Sequence, residues 1–252
     1  MLLVATTMSA QTIMNGDLNH DGKIDISDVT ALVNVALGKS QTEVIRVDPD
    51  PHEYVDLGLP SGTLWATCNV GADNPEDYGL YFAWGETVGY TQDTSDGRRF
   101  NWASYQLCNG SERALTRYCY DSSYGYNGFT DTLTELLPEN DAATANWGAN
   151  WRMPSKDQLI ELKTNCTWTW TTRNGKNGYE VVGPNGNSLF LPAAGYRGSS
   201  LYDVGEDGEY WLRTLSTSTP GYAYHLNFIS GYVDWANFSR YIGRSVRPVR
   251  VS

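Results

Sequence analysis

Two patterns of hydrophobic and polar positions divide the chain. Near the N-terminus, apolar residues recur at helical spacing and end at a glycine that is typical of a helix stop. These residues are Ile26, Val29, Val33 and Leu37, followed by Gly38. From residue 53 onward the apolar runs are short and lie between Gly, Asn and Pro residues, which favours strands joined by turns. The pattern predicts a small helical segment followed by a larger β-rich domain.

One helix and seven strands are predicted inside the β-rich part. The helix covers residues 154–162, with Ser155 as its N-cap and Gln158 completing a capping box. Asn174-Gly175 and Asn177-Gly178 are predicted as hairpin turns. The predicted strands are Thr63–Cys68, Tyr81–Trp84, Tyr179–Val182, Ser188–Leu191, Tyr222–Phe228, Tyr232–Trp235 and Ser245–Arg250.

The same patterns give four segments along the chain. Residues 1–10 resemble the remnant of a signal peptide, and residues 11–40 hold an acidic loop and the helix after it. Residues 41–52 are expected to form a linker, stiffened by the two prolines in 48–51. Residues 53–252 show no internal boundary and are expected to form one domain.

Composition narrows the class of protein. The 252 residues carry a net charge of -11 and are 13% aromatic. Disordered chains are poor in aromatic residues, so the chain is expected to fold. No basic stripe is visible, which argues against nucleic acid as a partner, and no apolar run has the roughly 20 residues that a transmembrane helix needs.

The N-terminus and the cysteines both bear on localisation. Small residues, Ser9-Ala10, precede Gln11 as in a signal-peptidase site, which predicts an extracellular or cell-surface protein. Disulfides form in such places, and the pairs Cys108–Cys119 and Cys68–Cys166 are the expected ones. Four unpaired thiols are the alternative. No cysteine lies in a Cys-x-x-Cys motif or near a histidine cluster, which argues against zinc.

The acidic loop between residues 17 and 28 has the ligand spacing of a calcium site. Calcium prefers six to eight oxygen ligands and a glycine at the sharp turn, which Gly22 supplies here. Lys23 is expected to offer its backbone carbonyl, and Asp25 to bind directly or through water. The complete predicted ligand set is Asp17, Asn19, Asp21, Lys23, Asp25 and Asp28. The sequence therefore predicts Ca²⁺ as a cofactor.

The stretch Gly16–Lys39 resembles one type I dockerin repeat, because Asp28 stands where an EF-hand has Glu and no helix precedes the loop. This half-dockerin resemblance implies calcium binding and a cohesin-like partner. Dockerins usually carry two repeats that together form the cohesin-binding surface, and this chain has one. The lone repeat is alternatively expected to pack, pair with another copy or act as a calcium-rigidified spacer.

Five ordered motifs span most of residues 53–250. They are YVDLGLPSGTLWATCNVGA from Tyr54, YFAWGET from Tyr81, NWRMPS from Asn150, LPAAGYR from Leu191 and GRSVRPVR from Gly243. Together they resemble the Fibrobacter succinogenes major paralogous domain, which is common in gut Bacteroidetes. The resemblance implies an α+β, C-type-lectin-like fold rich in short antiparallel strands, related to the formylglycine-generating-enzyme fold, in an exported or surface protein.

The motif residues are predicted to be structural and no catalytic group is apparent. Trp65, Trp84, Trp151 and Tyr196 are expected to fill the core or to line the junction between sheet and loops. Arg152 and Arg197 are expected to bind carbonyls or a carboxylate. Formylglycine-generating enzymes need reactive cysteines near the C-terminal end of the fold, whereas the last cysteine here is Cys166. The histidines are scattered and no carboxylate pair has diagnostic spacing. We therefore expect a protein that is not an enzyme.

The segment from Tyr210 to Ile242 is predicted to carry the ligand-binding face. Its Tyr, Asn, His and Asp residues combine contact area with adaptable hydrogen bonding, as paratopes do. The predicted ligand-binding residues are Tyr222, His225, Asn227, Tyr232, Asp234, Trp235, Asn237, Phe238 and Tyr241. The segment resembles the variable region of proteins diversified by retroelements, whose adenine mutagenesis produces this set of residue types. The alternative is a strand-rich terminus with ordinary exposed aromatic residues.

Three hypotheses for the function follow from the sequence. The leading hypothesis is an exported calcium-binding surface protein that recognises an unknown protein or glycan ligand, diversified by a retroelement in its C-terminal segment. The alternative is a polysaccharide-degrading enzyme, or an accessory subunit of a glycan-degrading assembly. A third hypothesis is a structural spacer at the cell surface.

Overall fold

The computed structural model describes residues 51–251. The chain divides into two compact units, Met1–Pro51 and His52–Ser252, and the second is described here by itself. It consists mostly of antiparallel strands in small sheets, with two α-helices in its described part. Neither helix is long and apolar enough to cross a membrane.

The elements of residues 51–251 are short. The helices are α1 (Ala142–Trp147) and α2 (Lys156–Asn165). Three 3-10 helices cover Thr94–Asp96, Tyr126–Gly128 and Pro138–Asn140. The strands are β1 (Tyr54–Asp56), β2 (Leu64–Ala66), β3 (Trp151–Arg152), β4 (Thr167–Arg173), β5 (Lys176–Val182), β6 (Ser188–Pro192), β7 (Tyr196–Arg197), β8 (Leu201–Tyr202), β9 (Asp207–Leu215), β10 (Tyr222–Ile229), β11 (Tyr232–Ser239) and β12 (Val249–Arg250).

The strands form four antiparallel sheets. Their orders are β1-β2-β12-β3, β4-β5-β6, β11-β10-β9 and β7-β8. The sheet that contains β12 joins the first strands of the domain to its last one, since Val249 pairs with both Trp65 and Arg152. The two ends of the described domain are thus held together in one sheet.

The β9–β11 sheet separates two hydrophobic clusters. Leu226 and Phe228 face a cluster that includes Leu159 and Leu162 of α2. Ala223, on the opposite face of β10, packs into a second cluster with Trp84, Trp151 and Trp211. Alternate residues of a strand point to opposite faces, so β10 is buried on both sides over most of its length. Its position makes this sheet the centre of the domain.

Helix α2 begins where the sequence predicts. Ser155 Oγ accepts a hydrogen bond from the Gln158 backbone N–H at 3.1 Å, and Gln158 Oε1 accepts one from the Ser155 N–H at 2.9 Å. These two bonds form the predicted capping box, which satisfies two of the donors that a helix start leaves open. The helix continues to Asn165, three residues beyond the prediction.

One of the two predicted Asn-Gly turns is confirmed and the other is wrong. Asn174 and Gly175 have φ values of 48° and 81°, as the two central residues of a type I′ hairpin turn require, and they join β4 to β5. Asn177-Gly178 lies inside β5 instead. Gly178 is needed there because a Cβ would lie 2.2 Å from the Leu191 carbonyl oxygen.

The other strand predictions are confirmed with shifted ends, apart from two. The predicted strand Tyr81–Trp84 makes only isolated bridges, from Tyr81 to Tyr90 and from Phe82 to Arg244. The predicted strand Ser245–Arg250 is reduced to β12, because its earlier part bonds to surrounding loops. Six strands were not predicted: the short strands β1, β3, β7 and β8, and the longer strands β4 and β9. The alternation in β4 was a usable signal, whereas Glu209 and Arg213 interrupt the apolar pattern of β9.

The predicted burial of the tryptophans and the structural role of Arg197 are confirmed, and Tyr196 is half-buried against the second cluster. Trp65, Trp84 and Trp151 are buried. Arg197 is also buried, and its Nη2 and Nη1 donate to the two carboxylate oxygens of Asp96 at 2.6 and 2.9 Å. This bidentate pair links β7 to a distant loop.

Gly208 tests how tightly the central sheet is packed. A Cβ on Gly208 would lie 1.9 Å from Cζ of Phe228, its partner on β10. We expect Gly208→Ala to displace the Phe228 ring and to lower the free energy of unfolding by about 1–3 kcal/mol. Urea denaturation would measure this. Gly198→Ala is the matched control, because its Cβ would meet only the Tyr202 ring, at 3.3 Å. Equal stability of the two variants would contradict the packing argument.

Candidate functional site

The predicted ligand-binding residues lie on both faces of one hairpin, formed by β10 and β11. Strand register places Trp235 opposite Leu226 and Asn237 opposite Tyr224, on the face toward α2. Asp234 lies opposite Asn227 in the strand register, and its carboxylate reaches past the edge of the sheet to Lys163 on α2. Tyr222, Tyr232 and Phe238 also belong to the hairpin, and Tyr241 follows it. The structure therefore groups these residues in one region and divides them between two surfaces.

His225 is not part of an accessible face. It is 3% exposed and lies edge-on to Trp211, with ring centroids 5.7 Å apart. Burial and the Arg244 charge lower the pKa of His225 well below its usual range. The expectation that His225 contacts a ligand is wrong, because this part of β10 has a packed core on both sides.

The edge strand β11 exposes large apolar side chains instead. Tyr232 is 51% exposed, Phe238 46% and Trp235 38%, and Ile229 at the hairpin end is 47% exposed. Tyr241 is half-buried, with its ring 5.0 Å from that of Trp102. Aromatic residues at this density on a surface are typical of recognition sites.

Trp235 is held in a defined position by two neighbours. Its ring meets that of Tyr224 edge-on at a centroid distance of 5.5 Å. Lys156, the first residue of α2, places its Nζ 3.4 Å from the Trp235 centroid and 4.0 Å from the Tyr224 centroid. Such cation–π contacts favour a fixed orientation of both the ring and the ammonium group. We call Lys156, Tyr224 and Trp235 the cation–π cluster.

Polar groups adjoin the cation–π cluster. The Tyr224 and Thr217 hydroxyl oxygens are 3.1 Å apart, and Thr217 lies in the exposed part of the loop before β10. Burial alone would raise the pKa of Tyr224, but the Thr217 hydrogen bond and the Lys156 charge lower it. Asp234 accepts a hydrogen bond from Lys163 Nζ at 2.9 Å, and this bond lowers the pKa of Asp234. The α2 side of the hairpin thus offers an aromatic ring, hydroxyls and an ammonium group.

The opposite face of the sheet carries a buried ion pair. Arg244 Nε donates to Glu209 Oε2, and the guanidinium lies 4.3 Å from the centre of the Trp211 ring. Both side chains of the pair are at least nine-tenths buried. Glu209 is therefore occupied by a structural interaction.

Asp207, at the start of β9, has a different environment. Its Oδ1 accepts a hydrogen bond from Asn227 Nδ2 at 3.0 Å, and the side chain is half-buried. Burial, followed by the negative charges of Glu209 and Asp203, raises the pKa of Asp207 to about 6. Asn227 thus contacts a carboxyl group that changes charge in a mildly acidic range. Neither Asp207 nor Lys156 had been singled out from the sequence.

The cysteines do not form the two expected pairs in this structure. All four are free thiols, with Cys119 buried and Cys68, Cys108 and Cys166 half-buried. The Cys108 and Cys119 thiols are directed to different backbone carbonyls, those of Trp102 at 3.2 Å and Asp121 at 3.1 Å. The alternative of four unpaired thiols is the one found here.

The predicted calcium ligands, residues 17–28, lie outside the described residues. Within residues 51–251 no group of three or more His, Cys, Asp or Glu side chains is arranged to hold a metal ion. Comparisons with protein-family models, curated proteins and solved structures found no match.

The raised pKa of Asp207 predicts a specific pH dependence. The folded protein holds this proton up to about pH 6, whereas an unfolded Asp releases it near pH 4. Ionisation of Asp207 therefore lowers the free energy of unfolding as the pH rises from about 4 to about 6. We expect the stability of Asp207→Asn relative to wild type to increase between pH 4 and 7, as measured by urea denaturation.

Asp234→Asn is the opposite control for this measurement. Because the Asp234 pKa is lowered, its contribution is present above about pH 4 and is lost as pH falls. Asp234→Asn should be less stable than wild type by a constant amount between pH 5 and 7, and this difference in stability should disappear in more acidic solution. A pH-independent difference between Asp207→Asn and wild type would rule out the raised pKa.

Proposed function

We propose that this is an exported, calcium-binding recognition protein whose lectin-like domain binds a protein or glycan ligand through the β10–β11 hairpin. One observation carries the proposal: Ile229, Tyr232, Trp235 and Phe238 are all exposed within ten residues of one edge hairpin, with Trp235 on its α2 side and Tyr232 and Phe238 on the other. Surfaces of soluble proteins seldom gather large apolar side chains without a binding role. The strand-rich fold is compatible with the lectin-like class that the sequence motifs imply.

The energetics of the hairpin favour recognition. Its inner residues, Leu226 and Phe228, are anchored in the core, so the exposed rings are presented by a rigid element. A rigid aromatic residue loses little side-chain entropy on binding. The neighbouring Asn and Asp side chains add directional hydrogen bonds, which is the combination that separates a recognition surface from a purely apolar one.

A glycan array and a surface-display library of peptides, both probed with the whole protein, would identify ligands. We expect Trp235→Ala or Phe238→Ala to weaken binding of a ligand by about tenfold or more, as truncation of a central aromatic contact does. Val88→Ala is the matched control, because Val88 is 56% exposed and lies outside the hairpin. Ligand binding that survives both hairpin substitutions would refute this assignment of the site.

The N-terminal loop supports a calcium role by its sequence alone. Empty, its four Asp side chains repel one another, and calcium would offset this repulsion and order the loop. We expect calorimetric titration to give a calcium-binding signal that Asp17→Ala abolishes. Asp203→Ala, outside the loop, should leave the signal intact. No signal at millimolar calcium would contradict the predicted site.

One observation favours the enzymatic alternative. Asp207 has a pKa of about 6 and a second carboxylate, Glu209, two residues away on the same strand, and a raised carboxyl pKa is a feature of catalytic acids. Glu209 is already paired with Arg244, which disfavours a catalytic acid–base pair of Glu209 and Asp207. A polysaccharide hydrolysis screen would decide, because turnover lost in Asp207→Asn would establish the enzyme and overturn the non-catalytic proposal.

A further inference from the structure

Lys156 is a cation without an anionic partner at the proposed ligand surface. The other two described lysines are paired, Lys163 with Asp234 at 2.9 Å and Lys176 with Asp77 at 2.5 Å. No described carboxylate lies within 4 Å of Lys156 Nζ. Its position over Trp235 and Tyr224 nevertheless fixes the ammonium group at the edge of β11.

The surroundings of Lys156 match the chemistry of a sugar acid. Lys156 Nζ covers one face of the Trp235 ring, and the exposed remainder of the ring is the surface against which the apolar face of a pyranose can pack. Tyr224 and Thr217 supply hydroxyls, and Asn237, opposite Tyr224 in the strand register, supplies an amide group. An ammonium group beside such a ring would pair with a carboxylate that projects from the sugar, at hydrogen-bond strength roughly twice that of a neutral contact.

The nearby carboxylates do not cancel this charge. Asp234 is neutralised by Lys163. Asp157 is exposed and adjacent to Lys156 in α2, but successive helical residues leave the helix about 100° apart. The N-terminus of α2, where Lys156 lies, adds a further positive field. Within residues 51–251, Lys156 is therefore an unpaired cation, available to an anionic ligand, on a chain with a net charge of -11.

We propose that the cation–π cluster is a subsite for a carboxylate-bearing saccharide of the uronic acid class, with Trp235 as the stacking platform and Lys156 as the carboxylate anchor. This inference rests on the proposed function, since it names the ligand class for the same hairpin. It requires no metal ion, because the anchor is the ammonium group.

Trisaccharides of galacturonate, glucuronate and mannuronate, each compared with its methyl ester, test the proposal by calorimetry with the full chain. The esters keep the sugar ring and remove the charge. We expect wild type to bind at least one uronate about tenfold more tightly than its ester, in line with a charge-assisted hydrogen bond. Lys156→Met should remove this preference, whereas Lys156→Arg should retain it, as should Lys176→Met, which lies in β5 outside the hairpin.

The outcomes separate this proposal from the proposed function. A wild-type protein that binds no uronate more tightly than its ester overturns the uronate subsite, as does a preference that Lys156→Met leaves unchanged. In either case, the recognition function would still be supported if the protein binds a neutral glycan or a protein ligand and Trp235→Ala loses that binding. Thermal denaturation of each variant establishes that it is folded, and Lys156→Gln, which also removes the charge, serves if Lys156→Met does not fold.

Discussion

The fold of the domain depends on the hydrogen bonds and the ion pair made by buried arginines near the C-terminus. Arg240, Arg244 and Arg247 are each at most 2% exposed, although burying an uncompensated charge costs several kcal/mol. Arg247 donates to the Ala66 and Thr67 carbonyl oxygens and to Asn69 Oδ1, about 180 residues earlier in the chain. Irregular loops with few backbone partners obtain their hydrogen bonds in this way.

This arrangement positions the hairpin. Arg240 directly follows β11 and donates to the Tyr118 carbonyl oxygen at 2.9 Å, while Arg244 pairs with Glu209 on β9. The chain leaving the hairpin is thus fixed to a loop on one side and to the sheet on the other. Removing the partner of a buried charge destabilises the fold far more than losing a surface contact does. The inner half of the hairpin is therefore rigid, while its outer half remains exposed.

Local signals in the sequence predicted local structure well. The capping box at Ser155 and the turn at Asn174 are confirmed because each depends on residues within a few positions. Gly178 and His225 were misassigned because their roles depend on distant neighbours, the Leu191 carbonyl and Trp211. The exposed rings of β11 were predicted from residue type. Lys156 was not, since its importance arises only when α2 packs against β11.

The hairpin carries opposite electrostatic character on its two sides, and this constrains how any ligand is oriented. Lys156 is uncompensated on the α2 side, whereas on the other side burial, followed by the negative charges of Glu209 and Asp203, raises the pKa of Asp207. An acidic ligand is repelled by the net charge of -11 at long range, but this repulsion is screened beyond about 8 Å at physiological ionic strength. The short contact with Lys156 is screened much less. An acidic saccharide would therefore be recognised through its position on the surface, with its carboxylate toward Lys156 and its neutral hydroxyls toward Thr217 and Asn237, rather than through overall attraction to the protein.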